Sequence, residues 1–191
     1  MTEAFGKLLP GDLPALKKMS ELILLLDKEA IAQKVSTTAK LISRDYQDSD
    51  LVIIGVLHGA FIFMADLIRQ LSIDAFTIDF VRLSSYGDQS ESSGQIRLLL
   101  DIESDIDGKD VLIVEDILDT GLTMTYLIDQ LQSRRPRSIK TCVMIDKLER
   151  RQISMKPDYV CHTVAQGFLV GYGLDYSGRY RNLPGIYHLK L

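Results

Sequence analysis

The sequence predicts an α/β fold: a twisted parallel sheet flanked by helices, with a small C-terminal hood. Three observations predict it. Leu51-Val52-Ile53-Ile54-Gly55-Val56-Leu57 is apolar at successive positions and largely β-branched, the composition of a strand covered on both faces. Directly after it, Phe61, Met64, Ala65 and Ile68 recur at helical spacing, and β-type composition resumes over Ala75 to Leu83, giving a strand, helix, strand unit with a right-handed crossover. The same alternation returns further on, where the runs Asp110–Val114 and Ile139–Ile145 bracket a helical stripe of Met124, Leu127, Ile128 and Leu131.

Each element has a local reason. Ile31, Val35, Ala39 and Ile42 make one apolar stripe between Asp27 and Tyr46, and Asp27 is placed to cap that opening helix. Ser84 to Gln95 is polar and rich in Gly and Ser, which predicts a long mobile loop in place of an element. Ile96 to Leu100 predicts a further β segment, and Asp107-Gly108-Lys109 a turn before the best core strand. Pro136 closes the helix that follows that strand. More β material is expected at Tyr159 to Val164 and Phe168 to Val170, before an irregular tail rich in Gly, Tyr and Pro.

With 191 residues and 46% apolar content, the chain can bury one sizeable core. One domain over residues 1–191 is expected, with its core at about 27–165 and a hood at about 166–191, open to an N-terminal contribution. Lys and Arg number 22 against 26 Asp and Glu, a formal charge of −4, which opposes broad adhesion to nucleic acid or anionic membrane. Cys142 and Cys161 sit in apolar stretches and read as small buried thiols in a reducing compartment. The first ten residues lack a signal design and Leu22 to Leu26 is too short to cross a bilayer, so a cytoplasmic location is expected.

The chemistry concentrates in Val111-Leu112-Ile113-Val114-Glu115-Asp116-Ile117-Leu118-Asp119-Thr120-Gly121-Leu122-Thr123. A hydrophobic strand ends in two adjacent carboxylates, and a short loop then opens directly into a helix. Ligands of open α/β sheets bind beyond the carboxyl ends of strands, which puts these acids at the mouth of the crevice. Backbone N–H groups at the start of that helix lack intrahelical partners, so Asp119 to Thr123 can cradle a phosphate, with Thr120 and Thr123 adding hydroxyls. Asp119 alone also suits an ordinary helix cap. The segment lacks the Gly-x-x-x-x-Gly-Lys pattern of a P-loop, and Gly171-Tyr172-Gly173-Leu174-Asp175-Tyr176 lacks the third glycine of a dinucleotide site.

This stretch resembles the phosphoribosyl pyrophosphate signature of type I phosphoribosyltransferases, and the chain from the first helix to about Arg181 resembles their bacterial hypoxanthine-guanine branch. The resemblance implies the type I phosphoribosyltransferase fold and transfer of a phosphoribosyl group to hypoxanthine or guanine with Mg2+. It implies that Glu115 and Asp116 meet the ribose hydroxyls, directly or through metal and water. Asp119 matches the general base toward the purine N7 proton, and Asp119, Thr120, Gly121, Leu122 and Thr123 match the 5-phosphate loop.

Leu57-His58-Gly59 resembles the pyrophosphate loop, whose first peptide is cis in the family. His58 stands where Lys or Arg is common, so pyrophosphate affinity is expected to be weaker or pH-dependent if a permanent cation matters there. Ser85 and Tyr86 match the pair that opens the family's mobile loop. Lys147 matches the donor to the purine O6, Phe168 the stacking aromatic, Leu169 a backbone contact and Ile117 an apolar wall. Asp175 matches a metal-associated acid beside the purine, and Arg181 an arginine that meets pyrophosphate. Gly167 replaces a lysine of some relatives. The family also implies a homodimer or homotetramer. Arg134-Arg135-Pro136-Arg137 and Arg150-Arg151 read as solvated faces or subunit contacts without chemistry. Two rival readings stay open: a regulator that kept the site as a sensor, and a related enzyme acting on xanthine or a pyrimidine.

Overall fold

A computed structural model of the protein describes residues 21–86 and 95–190. In chain order the elements are β1 (Glu21–Leu26), α1 (Lys28–Asp45), β2 (Leu51–Leu57), α2 (Phe61–Ile68), β3 (Phe76–Tyr86), β4 (Gln95–Leu100), β5 (Asp110–Leu118), α3 (Leu122–Gln132), β6 (Ser138–Lys147), β7 (Tyr159–Val164), β8 (Leu169–Val170) and β9 (Ile186–Lys190). Asp27 caps α1 as its sequence position suggests, its Oδ1 accepting from Ala30 N–H at 2.8 Å.

Six strands form the main sheet in the order β4-β3-β2-β5-β6-β7. The pairs β2 with β3, β2 with β5, β5 with β6 and β6 with β7 are parallel, and β4 closes the edge antiparallel to β3. Because β2 is central, its residues are buried alternately toward two layers. Ile53 packs with Ile31, Val35 and Ile42 of α1 and with Phe63 and Leu67 of α2. Val52 and Ile54 join Met124, Leu127 and Leu131 of α3 on the opposite face. Each such aliphatic side chain taken fully from water contributes about 1.5–3 kcal/mol before entropy is charged against it.

That division positions the site. The helix after β2 crosses one face and the helix after β5 crosses the other, although β2 and β5 are neighbours. The chain therefore parts above their carboxyl ends, leaving a crevice at the point where the strand order reverses.

Two expectations need correction. Ser84, Ser85, Tyr86 and Gln95 are strand and not loop: Ser84 pairs Arg97, Ser85 pairs Ile96 and Tyr86 pairs Gln95. Antiparallel pairing satisfies their backbone groups whatever their side chains are, so polar composition misleads there. The remainder of the expected loop, 87–94, lies outside the described residues, as does 1–20. The tail is also not irregular to its end, because β9 forms the centre of a second sheet of order β1-β9-β8. Leu22 pairs Leu189 and Leu169 pairs His188, both antiparallel. Among the described residues, no helix is long and apolar enough to cross a membrane.

Candidate active site

The carboxyl end of β5 projects its acids into a cavity of about 210 Å³ lined by Glu115, Asp116, Ile117, Leu118, Asp119, Thr120, Gly121, Thr123 and Met124. Both acids are half-buried and tied to the strand end itself. Asp116 N–H donates to Glu115 Oε1 at 3.1 Å, and Ile117 N–H donates to Asp116 Oδ1 at 2.9 Å. Burial pushes the Glu115 carboxyl well above the usual carboxylate range, and the neighbouring Asp116 charge pushes it further. Burial raises Asp116 as well, partly offset by hydrogen bonds and by the positive charge of Arg181. Two crowded acids with too little positive charge nearby suit a cation or a diol.

Gly121 makes the turn into α3 with φ 86°, a left-handed conformation that side chains resist. Thr120 Oγ1 accepts from Leu122 N–H at 3.3 Å, and the first bond of the helical ladder is Thr125 N–H to Gly121 O at 3.0 Å. The amides before it belong to the open end of the helix. The N-cap position itself is Gly121, which has no side chain to offer α3. Asp119 is therefore not a helix cap, and its bland reading fails.

Asp119 Oδ1 is buried and has no hydrogen-bond partner among the described residues. Lys147 Nζ is 3.7 Å from it and Arg150 Nη1 is 3.6 Å from Oδ2, distances of ion pairing beyond hydrogen-bond reach. Lys147 is no solvated lysine, since its side chain is only 7% exposed where β6 ends. Glu149 Oε2 lies 3.5 Å from its amine and accepts Gly167 N–H at 3.0 Å, joining the end of β6 to the segment that enters β8.

From the other side of the crevice, the Leu57–His58 peptide is cis. Gly59 lies so close to Asp116 that an added Cβ would fall 1.7 Å from its Oδ2. Gly173 in turn, at φ 101°, leaves room for Gly59 O, which an added Cβ would meet at 2.1 Å. Three chain segments are thus stacked closely, with the Asp116 carboxylate against Gly59 and the Gly59 backbone against Gly173. Arg181 Nη1 donates to Gly173 O at 2.6 Å, and its Nη2 pairs with Asp175 Oδ1 at 2.7 Å. Phe168 is 41% exposed at the start of the second sheet and meets Tyr176 edge to face at 5.5 Å, while Leu169 is buried.

The phosphoribosyl transferase domain model matches residues 24–177. The chain belongs to that family. Among curated relatives, the phosphoribosyltransferase is 46% identical over 171 residues to the hypoxanthine-guanine phosphoribosyltransferase of Aquifex aeolicus, covering 89% of this chain and 96% of the relative. It is 44% identical over 167 residues to the enzyme of that name from Bacillus subtilis, covering 87% and 92%. A solved hypoxanthine phosphoribosyltransferase from Staphylococcus aureus superposes with a TM-score of 0.83 at 41% identity, over 87% of this chain and 90% of that one.

In this phosphoribosyltransferase the geometry unites Glu115, Asp116, Ile117, Asp119, Thr120, Gly121 and Thr123 around one cavity, joins Lys147 to them through Asp119, and joins Gly59 through Asp116. His58 is exposed at the rim. Ser85 and Tyr86 lie at the far end of β3. Sequence reasoning passed over Glu149 and misread Arg151. The Arg151 side chain is 16% exposed, not a solvated face, because it reaches inward to Asp146 and to the carbonyls of Leu118, Asp119, Lys147 and Met155. Arginine spacing carries no sign of such partners. The Arg134, Arg135 and Arg137 cluster is structural, pairing with Asp101, Asp107 and Asp110 in turn.

Proposed function

We propose that this chain is a cytoplasmic purine-salvage enzyme that transfers the 5-phosphoribosyl group of phosphoribosyl pyrophosphate to N9 of hypoxanthine or guanine, giving IMP or GMP and pyrophosphate. The carrying observation is the cavity in which a crowded acid pair, an open helix end and an Asp119 carboxylate whose Oδ1 has no hydrogen bond among the described residues meet beside a buried lysine. The open amides of α3, with Thr120 and Thr123, grip the 5-phosphate, and Glu115 and Asp116 receive the ribose hydroxyls. Asp119 accepts the purine N7 proton as N9 bonds to C1 of the ribose and the bond from C1 to pyrophosphate breaks. Lys147 donates to the purine O6, which admits a 6-oxopurine and disfavours adenine, whose amino group is itself a donor. Phe168 offers its exposed ring as the stacking surface, flanked by Leu169 and Ile117. The loop at Leu57, His58 and Gly59, together with Arg181, faces the leaving group, and Ser85 and Tyr86 begin the cover over the reacting centre.

Mg2+ fits the donor set, because this ion commonly takes one or two carboxylates and fills its remaining positions with water and substrate phosphates. Glu115 and Asp116 each have one oxygen taken by a backbone N–H and a second to offer, whereas Asp175 has Oδ1 on Arg181 and Oδ2 accepting Gly178 N–H at 2.7 Å and must release one to reach a metal. Held there, such an ion would supply positive charge toward the departing pyrophosphate. The working assembly is a homodimer or homotetramer, which light scattering of the purified chain tests. For the reaction itself, the protein is incubated with phosphoribosyl pyrophosphate, Mg2+ and each purine or pyrimidine base in turn. Nucleotide is expected with hypoxanthine and guanine. No nucleotide from either, or preferred use of adenine or a pyrimidine, overturns the reading.

A further inference from the structure

Arg151 stands in the loop after β6, outside every residue given a substrate above, yet its guanidinium gathers an unusual set of acceptors. Nε donates to Asp119 O at 3.0 Å, Nη1 to Met155 O at 2.8 Å, and Nη2 to Leu118 O at 3.0 Å and Lys147 O at 3.1 Å, with Asp146 as its charged partner. The next two residues continue the clamp: Gln152 N–H and Ile153 N–H both donate to Thr120 O, at 2.9 and 3.2 Å. The carbonyls of Leu118, Asp119 and Thr120 are thereby all engaged by the loop after β6. Ile153 also closes the space behind Gly121, where an added Cβ would lie 3.4 Å from it.

Resting on the functional reading above, we infer that Arg151 is a positioning residue of the transfer: its planar fork locks the Asp119 loop to the end of β6, fixing the proton acceptor relative to the Lys147 amine. The charge matters less than the shape. An arginine offers five donors in a rigid plane, whereas a lysine ammonium offers three from a single point and cannot reach carbonyls on both strands at once. Asp146 pairs with the guanidinium locally, so Arg151 holds Asp119 by its backbone carbonyl and makes no hydrogen bond to the Oδ1 of its carboxylate. With the carbonyls of Asp119 and Thr120 already engaged, the backbone that leads into α3 is held from both sides of Gly121.

The test uses R151K and D146N. The first keeps the charge and loses the fork; the second keeps the fork and loses its charged partner. In R151K, kcat is expected to fall by about 10²-fold, the scale of a misplacement near 1 Å, with a smaller change in KM for either substrate. In D146N the fall is expected to be smaller and of the same kind. Amide hydrogen exchange without substrate should quicken at residues 119–124 and 147–148 in both variants and stay at parent rates in β2 and β3. A kcat for R151K within about twofold of the parent, or exchange quickened evenly across the sheet, overturns the inference. So does failure of both variants to fold, which would assign the network to global stability. If the parent makes no nucleotide, the functional reading fails by itself, and the exchange pattern still decides whether Arg151 positions this loop.

Discussion

Asp119 presents a buried oxygen that nothing in the described residues satisfies, and such a group costs roughly 1–3 kcal/mol unless a ligand completes it. Asparagine in its place keeps the shape and removes the proton acceptor. D119N should therefore lower kcat by about 10²–10⁴-fold, the range of general base catalysis, while KM for phosphoribosyl pyrophosphate changes little. Steady-state rates with hypoxanthine check this, and near-normal turnover at neutral pH would refute the base assignment. Glu115 shows the same conflict in another form. Burial and the Asp116 charge raise its carboxyl above the usual range, so the folded, ligand-free protein binds more protons here than the unfolded chain does. Stability from this pair is thus complete below the ordinary carboxylate range and declines as pH rises through the raised one. E115Q keeps an acceptor for Asp116 N–H and removes a charge. In metal-free buffer at neutral pH it should be more stable by about 1 kcal/mol and less active, with the stability gain vanishing at acid pH. Thermal melts of both proteins across pH read the difference, and a variant that melts lower at neutral pH would contradict it. These acids were legible in sequence because carboxylates have no structural reason to follow a core strand. Arg151 was not legible, because its partners are mostly carbonyls, which every residue carries.

Strands β5 and β6 bring Glu115 and Lys147 to one rim only if they start in register, and that start has its own fastening. Asp110 pairs with Ser138 across the two strands, accepts Ser138 Oγ at 2.7 Å and takes both donors of the Arg137 fork. The Arg137 guanidinium holds the Asp110 carboxyl down at about 2. A carboxylate lowered on folding contributes stability above its unfolded pKa and loses it as pH falls toward the folded value. The shift corresponds to roughly 2 kcal/mol, reduced to about 1–2 because Arg137 is half exposed and screened. D110N should lose about that amount at neutral pH and only a small part of it near pH 2. Urea melts at both pH values measure it, and an equal loss at both would show that the ion pair is not the cause. At this scale the buried parallel strands and the amphipathic helices were readable from periodicity alone. The antiparallel hairpin at Ser84–Tyr86 was not, because its polar side chains match a loop while its backbone pairs with β4.

Across the whole molecule, the features least visible in sequence are those that join distant segments. The sheet β1-β9-β8 draws Glu21–Leu26 and Ile186–Lys190 together from opposite ends of the chain, a pairing that no local pattern encodes. Leu26, Leu169 and Ile186 of this sheet share one core with the main sheet, and closer contacts lie near the site. Gly173 rests on Gly59 O, and Tyr172 Oη donates to Asp66 Oδ2 at 2.8 Å beside it. The proposed contacts of one nucleotide are divided between the two parts, with Asp119 to Thr123 and Lys147 in the main sheet and Phe168, Leu169 and Asp175 beyond it. A ligand spanning both should act as a clamp. IMP or GMP with Mg2+ at 100-fold excess over its Kd should add about 2.7 kcal/mol of stability by mass action. It should also slow amide exchange at 119–123 and at 168–175 together, because the bridging base orders both walls. Melting curves with and without nucleotide give the first quantity, and exchange measured on the same samples gives the second. Protection confined to 119–123 would mean that the phosphate is held while the base lies elsewhere, and would remove Phe168 and Leu169 from the purine site.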